Sequence, residues 1–176
     1  MKVAKNILDL VGNTPLLELS RLGKDLPATI YGKCEFINPL GSVKDRTALA
    51  MIEAAEKSGE LTEGGSILEA TSGNTGIGLA FVGALKGYKV TLTMPDGMSL
   101  ERRKLLKALG AELILTPAHL GMNGAIDKLN EIAKERKNVF IAKQFDNDAN
   151  PAIHYTTTGP EIDAALDGKV DILVAG

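Results

Sequence analysis

The feature that most constrains the fold is an alternation of short apolar runs with longer helical runs, which starts at residue 66. Each apolar run is too short for a helix, and the helical runs end at Gly87 and Gly110, where glycine favours a left-handed C-terminal residue. Such alternation is typical of a parallel sheet with crossover helices. We therefore predict an α/β fold, a three-layer parallel sheet with strands at 66–70, 89–94, 112–115 and 139–142.

The flanking segments carry weaker signals of the same kind. Before residue 66 there are short strand-like runs and one long helical run, which Ser58 and Gly59 end. After residue 142 a further helical run is predicted. These elements are strands at 16–19 and 29–34 and helices at 43–57 and 158–166.

Residues 171–176 predict a buried strand, because an uninterrupted apolar run follows Asp171. A buried strand needs a loop or helix to cover it, and the sequence gives none after Gly176. We therefore expect that the natural protein is longer or that this chain is a fragment.

Charge and cysteine content exclude several classes of function. The formal net charge is −2, whereas binding nucleic-acid phosphates requires a surplus of clustered Lys and Arg, so no nucleic-acid partner is predicted. The single cysteine, Cys34, excludes an internal disulfide. His119 and His154 lie far apart in sequence, so no metal site is predicted. We assign these three side chains to packing or ordinary hydrogen bonding.

The amino terminus and the lengths of the apolar stretches bear on location. Residues 1–6 lack the apolar core of a signal peptide, and no uncharged apolar stretch reaches membrane-spanning length. We therefore expect a cytoplasmic protein without a membrane partner.

The first segment with chemical potential surrounds Lys44. Ser42 precedes Asp45 by three residues, a spacing that resembles a capping box and places Lys44 in the first turn of a helix. The positive potential of a helix amino terminus disfavours a protonated amine, and a neutral amine is a nucleophile. This setting suits a Schiff-base lysine. On this segment alone, an ordinary solvated lysine is the simpler interpretation.

The second segment, 71–78, is a run of small and hydroxyl residues between a predicted strand and a predicted helix. Glycines allow close approach of the backbone to a ligand, and a helix amino terminus attracts a carboxylate or phosphate. The glycine order is Gly-x-x-Gly-x-Gly, which matches neither the dinucleotide fingerprint nor the nucleotide phosphate loop, so NAD and ATP are excluded. A plain glycine-rich turn is the alternative.

The third segment, 144–151, follows the predicted strand at 139–142 and is rich in amides. Gln144 could donate hydrogen bonds to a substrate carboxylate. An ordinary polar loop explains the same composition.

Taken together, these segments resemble the fold-type II pyridoxal-phosphate (PLP) enzymes, and specifically the cysteine synthase (O-acetylserine sulfhydrylase) family, along essentially the whole chain. The resemblance rests on the ordered set of motifs rather than on any one of them. Further stretches that support it are 12–16, 94–95, 98–104, 121–126 and 157–162.

The resemblance implies roles for individual residues. Lys44 would bind PLP covalently and later move the α-proton of the substrate, and Asn74 would hydrogen-bond the 3′ oxygen of the cofactor. The implied reaction is a β-replacement that makes L-cysteine from O-acetylserine and sulfide, and the implied enzyme class is transferase. The residues that would hold the substrate carboxylate are Thr71, Ser72, Asn74, Thr75 and Gln144.

The resemblance also implies a domain organisation and partners. Residues 40–145 would form a small mobile α/β domain, and residues 1–39 and 146–176 an incomplete part of the larger PLP-binding domain. The implied assembly is a homodimer, with serine acetyltransferase as a further partner.

Two alternatives stay open. An enzyme of the cystathionine β-synthase type shares the lysine and the glycine-rich segment, and a truncated paralogue or fragment could act as a non-catalytic binding module. Serine and threonine dehydratases are disfavoured, because Val43 stands where they usually have Phe and the residues after Lys44 differ from theirs.

The chain departs from the family pattern near the third segment and at its end. Asp146 and Asp148 add negative charge near a site that must bind a carboxylate, which is compatible with a shifted substrate preference. The Gly-Thr-Gly-Gly-Thr loop that holds the cofactor phosphate in the family would follow residue 175, beyond this sequence. We therefore expect these 176 residues alone to bind PLP weakly and to turn over poorly or not at all.

Overall fold

The computed structural model describes residues 3–175. Residues 1, 2 and 176, which include the start of the amino-terminal segment discussed above and the last residue of the predicted terminal strand, lie outside the described residues. The chain divides into two compact units, a central unit (Lys44–Asn150) and a terminal unit that runs up to Val43 and resumes at Pro151. The assignment of 40–145 to a small mobile domain stays a prediction.

The helices and strands follow the predicted order closely. In chain order they are β1 (Leu16–Glu18), β2 (Tyr31–Lys33), α1 (Lys44–Ser58), β3 (Ser66–Ala70), α2 (Asn74–Lys86), β4 (Lys89–Pro95), α3 (Leu100–Ala108), β5 (Glu112–Thr116), α4 (Gly121–Glu135), β6 (Val139–Ile141), α5 (Ala149–Ile153) and α6 (Gly159–Ala165). Short 3₁₀ turns lie at Ile7–Leu10, Glu35–Ile37 and Ala118–Leu120.

The core of the central unit is a four-stranded sheet in the order β5-β4-β3-β6, in which every pairing is parallel. Successive residues of a strand point to opposite faces. On β3, Leu68 packs with Leu129 and Ile132 of α4, whereas a Cβ added at Gly83 of α2 would lie 3.7 Å from Ile67. Helices therefore cover both faces, and the predicted α/β fold with three layers is confirmed.

Helix ends in the central unit lie where the sequence signals placed them. Gly87 closes α2 with a left-handed φ of 80°, and Gly110 follows α3 with a φ of 85°. Ser99 caps α3, since its hydroxyl accepts a hydrogen bond from the backbone N–H of Arg102 at 3.4 Å. The helix α1 begins at Lys44, so the prediction that this lysine lies in a first turn is confirmed.

The terminal unit contains the antiparallel pair β1–β2 and a polar cluster beside it. The Lys33 ammonium lies 2.5 Å from a carboxylate oxygen of Glu161 and also donates to the carbonyl of Thr14. The other carboxylate oxygen of Glu161 accepts from the N–H of Asn13 at 3.0 Å, and the Thr14 hydroxyl donates to Glu35. We refer to these five residues as the terminal-unit cluster. It ties the 13–14 segment to β2 and α6.

One prediction for the carboxyl-terminal part of the chain needs correction. The segment 171–175 forms no strand and is exposed, with Leu173 at 69% and Val174 at 89% of full exposure. A strand requires a partner for its backbone ladder, and within residues 3–175 no strand pairs with this segment. The helix predicted at 158–166 is α6, which follows a π-helical turn at His154–Thr158 that the sequence pattern did not reveal.

The described residues were searched for membrane-spanning helices and for metal-binding clusters. No helix within residues 3–175 is long and apolar enough to cross a membrane. In the same part of the chain, no group of three or more His, Cys, Asp or Glu side chains is placed to hold a metal ion.

Candidate active site

The three predicted segments all contribute residues to the central unit. The second segment follows β3 and the third follows β6, and these strands are parallel neighbours, with Leu68 opposite Ile141. Because the carboxyl ends of parallel strands lie at the same edge of a sheet, both loops emerge side by side. In open α/β sheets this edge is where ligands bind.

A direct hydrogen bond joins the two loops. The Thr75 hydroxyl, in the first turn of α2, donates to the side-chain oxygen Oε1 of Gln144. Thr75 is buried and Gln144 is half-buried. With its oxygen held in this way, the Gln144 amide offers its N–H₂ group, which can donate hydrogen bonds to a ligand.

A second set of contacts fixes the backbone of Gln144 and links it to α1. Asn150 donates from Nδ2 to the Gln144 carbonyl at 3.0 Å and accepts from the Thr47 hydroxyl at 3.0 Å. Thr47 lies one turn after Lys44 on α1. Together with Thr75 and Glu69, described below, these side chains form what we refer to as the central-unit network (Thr47, Glu69, Thr75, Gln144 and Asn150).

Close packing of α1 on α2 places the backbone of Lys44 beside the glycine-rich helix start. A Cβ added at Gly78 would lie 2.8 Å from the Cβ of Ala48 and 3.0 Å from the carbonyl oxygen of Lys44. Only glycine allows this approach. Lys44 itself is half-buried at the first position of α1.

The glycine-rich loop is held by side chains on both sides. The Thr71 hydroxyl accepts from the N–H of Gly73 at 3.3 Å, and Nη1 of Arg102 donates to the carbonyl of Ser72 at 3.1 Å. A Cβ added at Gly73 would meet no heavy atom within 4 Å. Asn74, the first residue of α2, is exposed. The loop therefore presents a helix amino terminus beside open space.

Glu69 is a functional candidate that the sequence interpretation missed. It lies on β3, is buried, and accepts hydrogen bonds from the backbone N–H groups of Lys143 at 2.8 Å and Gln144 at 3.3 Å. Burial raises the pKa of the Glu69 carboxyl above its ordinary value of 4.5; the two N–H donors oppose this rise and nearby Asp146 adds to it. A carboxylate within an otherwise apolar strand was the available signal, because such a group needs a partner.

Lys143 adopts a backbone conformation that costs free energy. Its φ is +48°, in the left-handed region that L-residues other than Asn and Asp seldom occupy. Such a conformation costs about 1–2 kcal/mol for a residue with a Cβ. The turn continues through hydrogen bonds from the N–H groups of Asp146 and Asn147 to the Lys143 carbonyl.

The donor set fits PLP together with an amino-acid carboxylate. Lys44 supplies a primary amine, Asn74 supplies an amide, and the absence of a side chain at Gly73 leaves space for a ligand beside the loop. Hydroxyl and amide donors of the kind needed by a carboxylate come from Thr71, Ser72, Thr75 and Gln144. All six predicted site residues thus lie in one unit, and their individual roles stay predictions.

Cys34 and His154 make local contacts with residues outside the predicted site. Cys34 is buried, with its thiol directed at the carbonyl of Gly32 at 3.6 Å. His154 hydrogen-bonds Thr158 at 2.9 Å. A surface cavity in the terminal unit, next to the β1–β2 connection, has a volume of about 320 Å³ and is lined by none of the predicted site residues.

The fold is α/β, with two polar loops side by side at the carboxyl edge of its sheet and Lys44 at the start of α1. Comparison with known proteins makes the class specific. The family model described as pyridoxal-phosphate dependent enzyme matches residues 7–176, and the chain belongs to that family.

The chain is also similar to individual proteins and solved structures. The cysteine synthase of Staphylococcus aureus is 53% identical, over 99% of this chain and 56% of that protein. Among solved structures, a cysteine synthase from Entamoeba histolytica superposes with a TM-score of 0.94 at 44% identity, covering 98% of this chain and 52% of that one. A hydrogen sulfide-producing enzyme from Fusobacterium nucleatum gives a TM-score of 0.90 at 48% identity, covering 96% and 56%. The chain therefore spans about half the length of these relatives.

Proposed function

We propose that the protein is a PLP-dependent cysteine synthase, which replaces the acetate of O-acetylserine by sulfide to give L-cysteine. The observation that carries this proposal is the joining of the two loops by the Thr75–Gln144 hydrogen bond in the same unit that begins with Lys44. The similarity to proteins named cysteine synthase supports the choice of substrate.

In this proposal Lys44 has two tasks. Its side-chain amine holds the cofactor, and it moves the α-proton of the substrate. A positioned proton carrier of this kind contributes about 10² to 10⁴ of the rate. PLP, when bound, supplies an electron sink for the carbanion that loss of this proton creates. Asn74 would donate to the 3′ oxygen of the cofactor.

The substrate carboxylate would be held by the loops of the central unit. The Gln144 amide faces it with N–H₂, while the hydroxyls of Thr71 and Ser72 and the amino terminus of α2 add further donors. Thr75 has two roles in this proposal. Its hydroxyl holds the Gln144 oxygen, and its backbone N–H donates to the substrate carboxylate. These donors orient the α-carbon for proton transfer, and this is the positioning that accelerates such reactions most.

Covalent labelling tests the lysine. The full chain is incubated with PLP, reduced with borohydride and mapped by mass spectrometry. We expect the pyridoxyl group on Lys44, no label in Lys44→Ala, and normal labelling in Lys57→Ala, which removes an exposed lysine at the other end of α1. A label at another lysine would refute the site, and no label at all would favour the non-catalytic binding module.

Product analysis tests the reaction and its main rival. The natural protein in its full length is supplied with O-acetylserine and either sulfide or homocysteine, and the products are identified by chromatography. Cysteine with sulfide supports the proposal. Cystathionine with homocysteine, at a higher kcat/KM, would favour the cystathionine β-synthase type instead.

We also propose a homodimer, an association with serine acetyltransferase and a cytoplasmic location. These rest on the family resemblance. Light scattering of the purified protein, alone and with serine acetyltransferase, tests the first two, and cell fractionation tests the third.

A further inference from the structure

Glu69 occupies an unusual position in the central-unit network. It is 5% exposed on β3, and its carboxylate oxygens accept from two successive backbone N–H groups, Lys143 at 2.8 Å and Gln144 at 3.3 Å. Successive N–H groups that converge on an anion form the concave arrangement found in anion-binding nests. Here the anion is supplied by the chain itself.

The turn that receives this carboxylate is unfavourable on its own. Lys143 has a φ of +48°, which glycine adopts freely and a residue with a Cβ does not. Charge-assisted hydrogen bonds are roughly twice as strong as neutral ones. A buried carboxylate aimed at the two N–H groups therefore selects this turn over alternatives.

Gln144 is held at three points, and Glu69 provides one of them. Its N–H donates to Glu69, its carbonyl accepts from Asn150, and its side-chain oxygen accepts from Thr75. Loss of the first contact leaves the other two in place. The expected result is a loosened side chain rather than a collapsed loop.

We propose that Glu69 is a positioning residue, whose carboxylate fixes the Lys143–Gln144 turn and thereby sets where the Gln144 amide meets the substrate carboxylate. The final step of this inference rests on the proposed function. Both the two acceptor oxygens of Glu69 and the length of its side chain are needed to hold this turn. In Glu69→Gln one acceptor oxygen becomes an N–H₂ donor that opposes a backbone N–H, whereas Glu69→Asp is too short by one methylene.

The structural half of the proposal is tested without cofactor or substrate. Amide proton shifts and hydrogen exchange of Lys143 and Gln144 are compared by NMR in the wild type and in Glu69→Gln. We expect both amides to shift upfield and to exchange about tenfold faster in the variant. Unchanged shifts and unchanged exchange at both amides would refute the proposal.

The functional half is tested by kinetics with a matched rescue. In the natural protein in its full length, we expect Glu69→Gln to raise KM for the amino-acid substrate about tenfold while kcat changes little. Adding Lys143→Gly, which adopts the left-handed turn without the anion, should restore KM to within about twofold of wild type. Asp167→Gly is the control, since this residue of the terminal unit has a similar φ of 52° and should give no rescue.

Failure of this proposal and failure of the proposed function give different results. If Glu69→Gln lowers kcat as much as kcat/KM, or if Lys143→Gly restores nothing, Glu69 is a structural residue only. If the natural protein in its full length makes no cysteine while the NMR difference is present, the proposed function fails and the turn assignment stands.

Discussion

The polar networks of the two units balance their buried charges in different ways. In the terminal-unit cluster the Glu161 carboxylate meets a full positive charge, the Lys33 ammonium, at 2.5 Å. In the central-unit network the Glu69 carboxylate meets backbone N–H dipoles of Lys143 and Gln144. The first arrangement contains a side-chain ion pair in addition to backbone contacts, whereas in the second the carboxylate contacts the backbone of a loop.

This difference indicates what each network is for. An ion pair holds two elements together, and in the terminal unit it joins β2, α6 and the 13–14 segment. A carboxylate that holds only backbone leaves the side chains of the loop available, so the Gln144 amide retains its donors. The terminal-unit cluster is thus expected to act on stability and the central-unit network mainly on binding. Variants in each network test this contrast between stability and binding.

Glu161→Ala should lower the free energy of unfolding by about 3 kcal/mol, because it leaves the Lys33 ammonium in a mostly buried position without this partner. Urea denaturation followed by circular dichroism measures the change. The double variant Lys33→Met/Glu161→Leu is the control and should recover most of the loss. A change below about 1 kcal/mol in Glu161→Ala would contradict the stabilising role of the ion pair.

Gly78→Ala should lower stability by about 2 kcal/mol, since the new methyl would press against Ala48 and the Lys44 carbonyl. Displacement of Lys44 should also slow its labelling by PLP and borohydride. Gly97→Ala is the matched control, because its added Cβ would make only an ordinary contact of 3.6 Å with Ala118. Equal stability of the two variants would show that α1 and α2 can move apart at no cost.

Thr75→Val should raise KM for the amino-acid substrate about tenfold, with a smaller loss of stability, because the Gln144 oxygen loses its donor. Steady-state kinetics with O-acetylserine measures the effect. Thr75→Ser keeps the hydroxyl and should stay close to wild type. If Thr75→Val and Thr75→Ser have the same KM, the hydroxyl does not orient Gln144.

The smallest effect concerns pH. Burial raises the pKa of Glu69 above 4.5 in the folded state, so its ionisation costs stability, and the cost appears as pH rises from about 4.5 through the raised pKa. The wild type should therefore lose stability relative to Glu69→Gln over that interval. Urea denaturation from pH 4 to pH 7, in ~0.5-unit steps, measures the difference.

Glu112 serves as the internal control for the pH experiment. A hydrogen bond from the Thr91 hydroxyl, with the Arg136 guanidinium next, lowers the pKa of Glu112 below 4.5. Its stabilising contribution is present above that value and is lost as pH falls, which is the opposite sign. The difference between wild type and Glu112→Gln should grow as pH rises. The same slope for both variants would contradict the assignment of Glu69.

Local signals in the sequence predicted most of the fold. Strand β3 lies at the predicted residues 66–70, and the other strands of the sheet end within one residue of their predictions. These elements depend on short apolar runs and on glycines such as Gly87, which act over a few residues. The terminal strand predicted at 171–176 failed because strand formation depends on a partner, and no local pattern supplies one.

The residues proposed to contact the ligand could be predicted from the sequence, but the contacts that hold them in place could not. Lys44 and the glycine-rich loop carry recognisable residue types at a helix start. Glu69, in contrast, contacts residues 74 and 75 positions away in the chain, and the Thr75–Gln144 bond spans 69 positions. Such pairs depend on which strands lie side by side in the folded sheet, and a single sequence does not state that order.

At position 73, folding does not require glycine, whereas a ligand bound against the loop would require it. Its backbone angles are extended and open to any residue, and a Cβ there would touch nothing within 4 Å. Selection for a stable chain alone would leave this position free to drift, whereas selection for a cofactor seated against the loop would keep it glycine. Among natural variants of this protein, a side chain at position 73 should therefore mark those that keep the fold but no longer hold a cofactor against the loop.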